Sequence, residues 1–369
     1  MLRSVEIKNY KSIVDDTIEL GRINVFIGEN GCGKTNILEA LALASCALVD
    51  RSDQEDLYNR GIRLARPSLM RSSFRGSTPA HYYKINAVYE LDPSRCFGIE
   101  TTWPTTNTVG SHLTIGLDAE FGLVGPTVGD SPESDFDEAM ADVEKVFGNF
   151  VIYNLNVLAL RGLEVTSRRT PLGIHGEGLD PLIASFSDDD LEALSERARC
   201  VSWLDHLELD RADARKYQGF KLGRSHSTLY FADRYMAADN NVFSAENVNE
   251  GILHVLFYLA LFMSTETPAI FGIDNVETAL NPLLCRNLIK ELAVLARERD
   301  KQALITTHNP AILDGLNLHD DDQRLFVVYR DDDGHTRTRR IRLKPDVGEP
   351  LRLSELWMRG HLGGLPQGF

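Results

Sequence analysis

The chain has 369 residues, 43% of them apolar and 25% charged, which is enough for a sizeable core in one large or two ordinary domains and excludes disorder as the main state. No stretch approaches the roughly 18 uninterrupted apolar residues of a membrane span, and the opening "MLRSVEIKNYKSIVDD" alternates charged and apolar residues where a secretory signal has an apolar run, so a cytoplasmic protein without a membrane partner is expected. The formal charge of −15 disfavours a general nucleic-acid coat, because phosphate binding rests on clustered Lys and Arg, and any DNA contact must be local.

In chain order, residues 2–9 alternate as a half-buried strand does, and "INVFIG" at 23–28 is a short apolar run suited to a buried strand. It runs into glycines and then an apolar helical segment, giving a strand–loop–helix unit. Residues 83–124 hold several β-rich runs broken by Pro, Gly and Asn, which predicts an antiparallel layer. From about 178 to 208 the pattern is helical: Ser187 stands as N-cap, with Leu191, Leu194, Ala198, Val201 and Leu204 on one face. The final third predicts a helix at about 248–264, the strand "AIFGID", a helix from Pro282, the strand "QALITTH", a further helix, the strand "RLFVVYR", and after "DDDG" a basic strand. The five cysteines (Cys32, Cys46, Cys96, Cys200, Cys285) lack CxxC pairing and read as reduced, mostly buried thiols.

The chemistry concentrates in three places. "GENGCGKT" (Gly28, Glu29, Asn30, Gly31, Cys32, Gly33, Lys34, Thr35) matches the phosphate loop G-x-x-x-x-G-K-[ST]. Glycines let backbone N–H groups converge on a β-phosphate at a helix N-terminus; Lys34 would reach the β- and γ-phosphates and Thr35 would ligate Mg²⁺, with Asn36 just beyond. This predicts ATP and Mg²⁺ as cofactors. Asp274 ends "AIFGID", where an acid at the carboxyl edge of a parallel sheet can hold the metal with Thr35. His308 follows another apolar strand at the same edge and can report the γ-phosphate or the attacking water.

Taken together, "LRSVEIKNYKSI…INVFIGENGCGKTNILEAL", "NEGILHVLFYLALF", "IDNVETALNP" and "LITTHNPAIL" resemble the ABC-type ATPase heads of the RecF, SMC and OLD-like group, and among them the compact bacterial AAA-type ATPases of antiphage defence modules. The likeness covers roughly residues 1–50 and 225–369. It implies an α/β P-loop NTPase with a mostly parallel core sheet, an antiparallel β layer and a helical insert. Three parts are expected: an N-terminal lobe at 1–150, a mainly helical lid or insert at 151–240, and a C-terminal lobe at 241–369 with the signature-like helix, the Asp274 strand and the His308 switch.

The resemblance also implies a head-to-tail dimer in which ATP lies between one copy's phosphate loop and the other's Ser-x-Gly signature. Here Asn249, Glu250 and Gly251 match the signature, with Asn in place of Ser, and Asn281 matches an interface residue. Relatives carry Glu after the strand-terminal Asp to activate water; this chain has Asn275, which can position water but cannot take its proton. Hydrolysis is therefore expected to be slow. Glu277 matches a second family acid, with an ion-paired loop residue or a substitute base as its two readings. Coiled-coil arms and a nuclease domain are absent from the pattern, so a separate effector protein is expected as partner. Arg337 and Arg339 fall on alternate positions of the basic strand, with Arg340 and Arg342 opposite and Lys344 further along; the strand is either a solvated face or a local DNA contact. Trp357 and Leu362 either dock a partner or pack on the chain's own core.

Overall fold

The computed structural model describes residues 1–365 apart from 52, 93–94, 105–111, 119–132, 168, 213, 218–224, 226 and 344–351. Lys344 and the 119–124 end of the expected antiparallel layer lie outside the described residues. In chain order, β1 (Leu2–Tyr10) and β2 (Ile13–Glu19) form a hairpin, and β3 (Ile23–Ile27) leads into the phosphate loop. Next come β4 (Tyr82–Asp92), β5 (Arg95–Pro104) and β6 (His112–Asp118), then the short β7 (Ile152–Tyr153). The middle segment carries β8 (Leu204–Leu209) and β9 (Leu229–Asp233), and β10 (Val242–Ser244) follows. The last third supplies β11 (Ile270–Ile273), β12 (Gln302–Thr306), β13 (Gln323–Arg330) and β14 (Thr336–Ile341).

These strands make three sheets. The core sheet has the order β14-β13-β3-β12-β11-β7 and is parallel except for the β13–β14 hairpin. An antiparallel sheet of order β2-β1-β4-β5-β6 covers one side, and β10-β9-β8 form a small third sheet. β3 is buried along its whole length, and alternation sends Ile23, Val25 and Ile27 to one core and Phe26 to the other. The first core is filled by the apolar helix Glu250–Met263 and the amphipathic helix Pro282–Glu298. The second holds the phosphate-loop helix Lys34–Leu48 against the antiparallel sheet. That helix is apolar nearly all round because it is enclosed on every side.

One buried side chain clips the outer sheet to the core sheet. Gln302, at the start of β12, accepts from the Leu2 N–H (2.8 Å) and donates to the carbonyls of Leu2 (2.8 Å) and Gly21 (2.7 Å). The start of β1 and the Gly21 turn before β3 are thereby fixed to β12, the strand that ends at Thr306.

Some expectations need correction. The helix capped by Ser187 runs only from Asp188 to Ala198, and Leu204, expected on its apolar face, begins β8 instead. Burial of Leu204 satisfies both patterns, since a helix face and a strand face each demand an apolar residue there. The segment 151–240 combines short helices with β7, β8 and β9, and β7 belongs to the core sheet. Trp357 and Leu362 are buried in the chain's own core. Leu362 gives its carbonyl to Arg339 (2.6 Å), and a Cβ on Gly364 would stand 3.4 Å from the Gly28 Cα, so the C-terminal segment rests on the root of the phosphate loop.

Replacing Gln302 by Leu removes the side-chain partners of both backbone groups of Leu2, at about 1–3 kcal/mol for each buried group left unpaired, while the Gly21 carbonyl keeps its bond from Asn24. The thermal midpoint is expected to fall by about 5 °C or more, followed by circular dichroism; an unchanged midpoint would show that the clip contributes nothing.

Candidate functional site

The register of the core sheet gathers the chemistry at one edge. Phe26 pairs with Thr306 and Ile273 with Ile305, so the residues that follow, Gly28, Asp274 and His308, emerge at the same level, as ligand sites do in parallel sheets. Gly28 leaves β3 where a Cβ would overlap the Val328 carbonyl oxygen, and Gly33 caps the following helix at φ 114° with the Thr336 side chain against it. Both positions require glycine. Asn30, Gly31, Gly33, Lys34, Thr35, Asn36, Arg63, Asp274, Asn275 and His308 line a single cavity of about 500 Å³.

Lys34 is buried, and its ammonium donates to the carbonyls of Gly28 and Glu29 (both 3.0 Å). Burial lowers its pKa, against the raising influence of Cys32 and Asp274. Asp274 accepts from the hydroxyls of Thr35 (3.1 and 3.2 Å) and Thr306 (2.5 Å), and the Thr306 hydroxyl in turn accepts from the Asn275 N–H (2.9 Å). A carboxylate oriented by two hydroxyls, one on the phosphate-loop helix, is a donor set that fits a hard divalent cation such as Mg²⁺. The glycine-rich cradle and the Lys34 ammonium fit the phosphates of ATP.

Asn275 sits in the left-handed region at φ 56°, a conformation that Asn adopts more readily than Glu. Glu277 is not an ion-paired loop residue: among the described residues it has no salt bridge, its Oε1 accepts from the His308 N–H (2.8 Å), and its Oε2 is buried without a partner. The loop bends so that this acid braces the His308 backbone. The His308 imidazole is held below its ordinary pKa by burial and then by the Lys34 charge, so it is neutral at pH 7.

Sequence reasoning missed four contributors. Arg63 lines the cavity from a loop far from every motif. Arg330 donates to the Gly31 carbonyl (3.0 and 3.2 Å), Thr336 donates to the Cys32 carbonyl (2.6 Å), and Thr306 orients Asp274. Of these only Thr306 carried a signal, standing two residues before His308.

Asn249 and Gly251 are not in this cavity. With Trp203, Asn281 and Leu283 they line another, of about 460 Å³, which shares no residue with the first. Asn249 and Asn281 are N-caps, accepting from the N–H groups of Ile252 (3.2 Å) and Leu284 (3.0 Å), so each spends its amide oxygen on its own helix. The basic strand is also committed. Arg337 bonds Asp331 (3.0 Å) and the Asp15 carbonyl, Arg339 bonds the Leu362 carbonyl, and Arg340 pairs with Asp321, so a phosphate would have to displace these partners. Among the described residues, Asp331, Asp333 and His335 approach one another closely enough for a metal, but Asp331 already accepts from Arg337 and from the turn's own N–H groups.

Residues 1–64 match a family model described as an AAA ATPase domain, and residues 195–314 one described as an AAA domain, putative AbiEii toxin, Type IV TA system. Over 100 residues, 25% of this chain, the sequence is 39% identical to the DNA double-strand break repair Rad50 ATPase of Sulfurisphaera tokodaii, and the match spans 11% of that relative's length. Among solved structures, an SMC head bound to the C-winged helix domain of ScpA aligns with a TM-score of 0.60 at 12% identity, covering 93% of this chain and 98% of the other. The SMC head domain from Thermotoga maritima aligns with a TM-score of 0.53 at 12% identity, covering 93% and 99%. The chain thus has the SMC-head-like fold of a P-loop ATPase.

Lys34→Ala is expected to weaken equilibrium binding of a fluorescent ATP analogue by about 10²-fold or more, the loss of a charge-assisted grip on phosphate. In the nucleotide-free chain the His308 ring should titrate by NMR with a midpoint below 6.5. Because the folded pKa lies under the unfolded one, His308 contributes stability that is full above pH 6.5 and lost as pH falls through the folded value.

Proposed function

We propose that this protein is a nucleotide-gated switch: it binds ATP with Mg²⁺, pairs head-to-tail with a second copy, hydrolyses the nucleotide slowly, and holds or releases a separate effector, a nuclease or toxin, in a prokaryotic antiphage defence system. The observation that carries this reading is the pairing of a complete phosphate and metal cradle with an amide at Asn275. Mg²⁺, held by Thr35 and Asp274, would neutralise charge on the β- and γ-phosphates.

Lys34 grips those phosphates, the neutral His308 ring offers a hydrogen bond at the γ-phosphate end, and Asn275 positions a water without accepting its proton. Loss of a general base reduces such rates by about 10²- to 10⁴-fold. Glu277 does not line the cavity, and its Oε2 is buried with no protein partner among the described residues, so it would take that proton only if its loop turned inward. Dimerisation is supported by the two separate cavities: Asn249 and Gly251 line one that shares no residue with the cavity at Lys34, and a second copy turned head-to-tail can present that helix N-terminus to the nucleotide. The effector is supported by the toxin-system description of the model matching 195–314 and by an SMC head that carries a winged-helix partner.

A second reading, a RecF-like DNA-repair ATPase that clamps duplex DNA, draws support from the match to a double-strand break repair ATPase. The arginines available to it, Arg337, Arg339 and Arg340, are tied to this chain.

Native mass spectrometry of the chain expressed with its genomic neighbours, in Mg²⁺ and ATP, is expected to show two copies and a second protein; a monomer under ATP would refute the switch. Salt-sensitive duplex binding lost on neutralising the three arginines would favour the clamp. Asn275→Glu is expected to raise ATP turnover by about ten-fold or more, measured by phosphate release, and an unchanged rate would mean that Glu277 already serves or that other parts of the water-orienting shell are degenerate.

A further inference from the structure

A buried carboxylate beside the cavity has no part in the chemistry above. Glu39 lies on the phosphate-loop helix with its side chain fully enclosed. Its Oε1 accepts from both the backbone N–H (3.0 Å) and the Nε–H (2.7 Å) of Arg63, and its Oε2 accepts from the Lys11 ammonium and the Tyr10 hydroxyl (3.3 Å). Burial alone would raise its pKa, but the Arg63 bonds and the Lys11 charge overcome this and hold the group ionised.

Arg63 is bound on a second side as well, where its Nη2 donates to the Asn36 Oδ1 (3.0 Å). From there the donors run in one direction only. Asn36 donates its amide N–H to the Ser12 hydroxyl (2.7 Å), and the Thr336 hydroxyl lies 2.7 Å from Ser12 and 2.6 Å from the Cys32 carbonyl. A hydroxyl has one proton. Thr336 must give its proton to the Cys32 carbonyl, so Ser12 must give its own to Thr336. The chain of bonds therefore reads Arg63, Asn36, Ser12, Thr336, phosphate loop, with Glu39 anchoring its origin.

Two of the three nitrogens of the Arg63 guanidinium are spent in this way. Nη1 has no hydrogen-bond partner among the described residues, and the side chain lines the cavity with Asp274, Asn275 and His308. We propose that Glu39 is the positioning residue of the nucleotide site: it fixes the Arg63 guanidinium so that Nη1 meets the γ-phosphate and favours ATP over ADP. The inference rests on the nucleotide-binding reading above and deepens it. Arg63 is 62% exposed at its side chain, and a free arginine there would lose rotamer freedom on meeting the ligand. Held by Glu39 and Asn36, it has already lost that freedom, and its fork is set before the phosphate arrives.

The test is equilibrium titration of fluorescent ATP and ADP analogues against Glu39→Gln, Arg63→Ala and the double variant, with thermal midpoints measured alongside. One charge-assisted bond corresponds to about ten-fold in affinity. Each single variant is expected to lower the ATP-to-ADP affinity ratio by about ten-fold while ADP binding persists, and the double variant should lose no more than either one. A wild-type ratio in Glu39→Gln, or losses that add in the double variant, would overturn the proposal and leave Glu39 a support of the helix alone. If Glu39→Gln does not fold, Arg63→Lys decides. A ratio as low as that of Arg63→Ala supports the grip, since Lys has the charge without the fork, and a wild-type ratio overturns it. A wild-type chain that binds neither nucleotide brings down the nucleotide reading and this inference with it, an outcome distinct from ADP binding with a wild-type ratio in the variants.

Discussion

The site depends on one carboxylate held by two hydroxyls. Asp274 directly follows β11, Thr306 ends the neighbouring β12, and Thr35 lies in the first turn of the helix that follows β3. Three segments far apart in the chain meet at one acid, and their meeting fixes the level at which the strands stop relative to the phosphate loop. Parallel pairing makes this possible because it brings the carboxyl ends of β3, β11 and β12 to one edge. The buried apolar strands set the height, and the hydroxyls set the rotation of the acid.

Polar groups inside the molecule do structural service in the same way. Asn24, the second residue of β3, exchanges bonds with both backbone groups of Gly21 and donates to the Ala303 carbonyl, and Gln302 does the equivalent for Leu2. Both keep the sheet edges satisfied where water cannot reach. The negative net charge does not reach every part of the site: Lys34 and Arg63 line the cavity together with Asp274, and Glu39 balances Arg63 and Lys11 from beneath. Two cations, Lys34 and Arg63, thus stand in the cavity of a chain whose net charge is −15.

Much of this was legible in the sequence, and the physical reason is locality. The phosphate loop, Asp274 and His308 each sit within a few residues of an apolar strand, so period and punctuation were enough to place them at a common edge. Arg63, Arg330 and Thr336 reach the loop from segments with no local signal of their own, and only the assembled fold brings them there. Leu204 was assigned to a helix because an apolar residue at that spacing suits a helix face as well as a strand. Glu277 has two readings in the sequence, an ion-paired loop residue or a substitute base, and spacing cannot choose between them; in the fold a neighbouring backbone N–H takes the place of the cation. Strand alternation separates the arginines of β14 into two sets but cannot give their partners, since Asp15, Asp321, Asp331 and the Leu362 carbonyl come from elsewhere in the chain.

The separation of the two cavities bears on dosage. On the reading proposed here, neither half-site is complete within one chain, so the closed form appears with the square of the number of copies present. A cell with few copies would stay in the open state even at saturating ATP, and a modest rise in synthesis would move a large share of the population across. Copy number would then act beside the nucleotide as a second input, and substitutions that lower abundance would silence the system without touching the site.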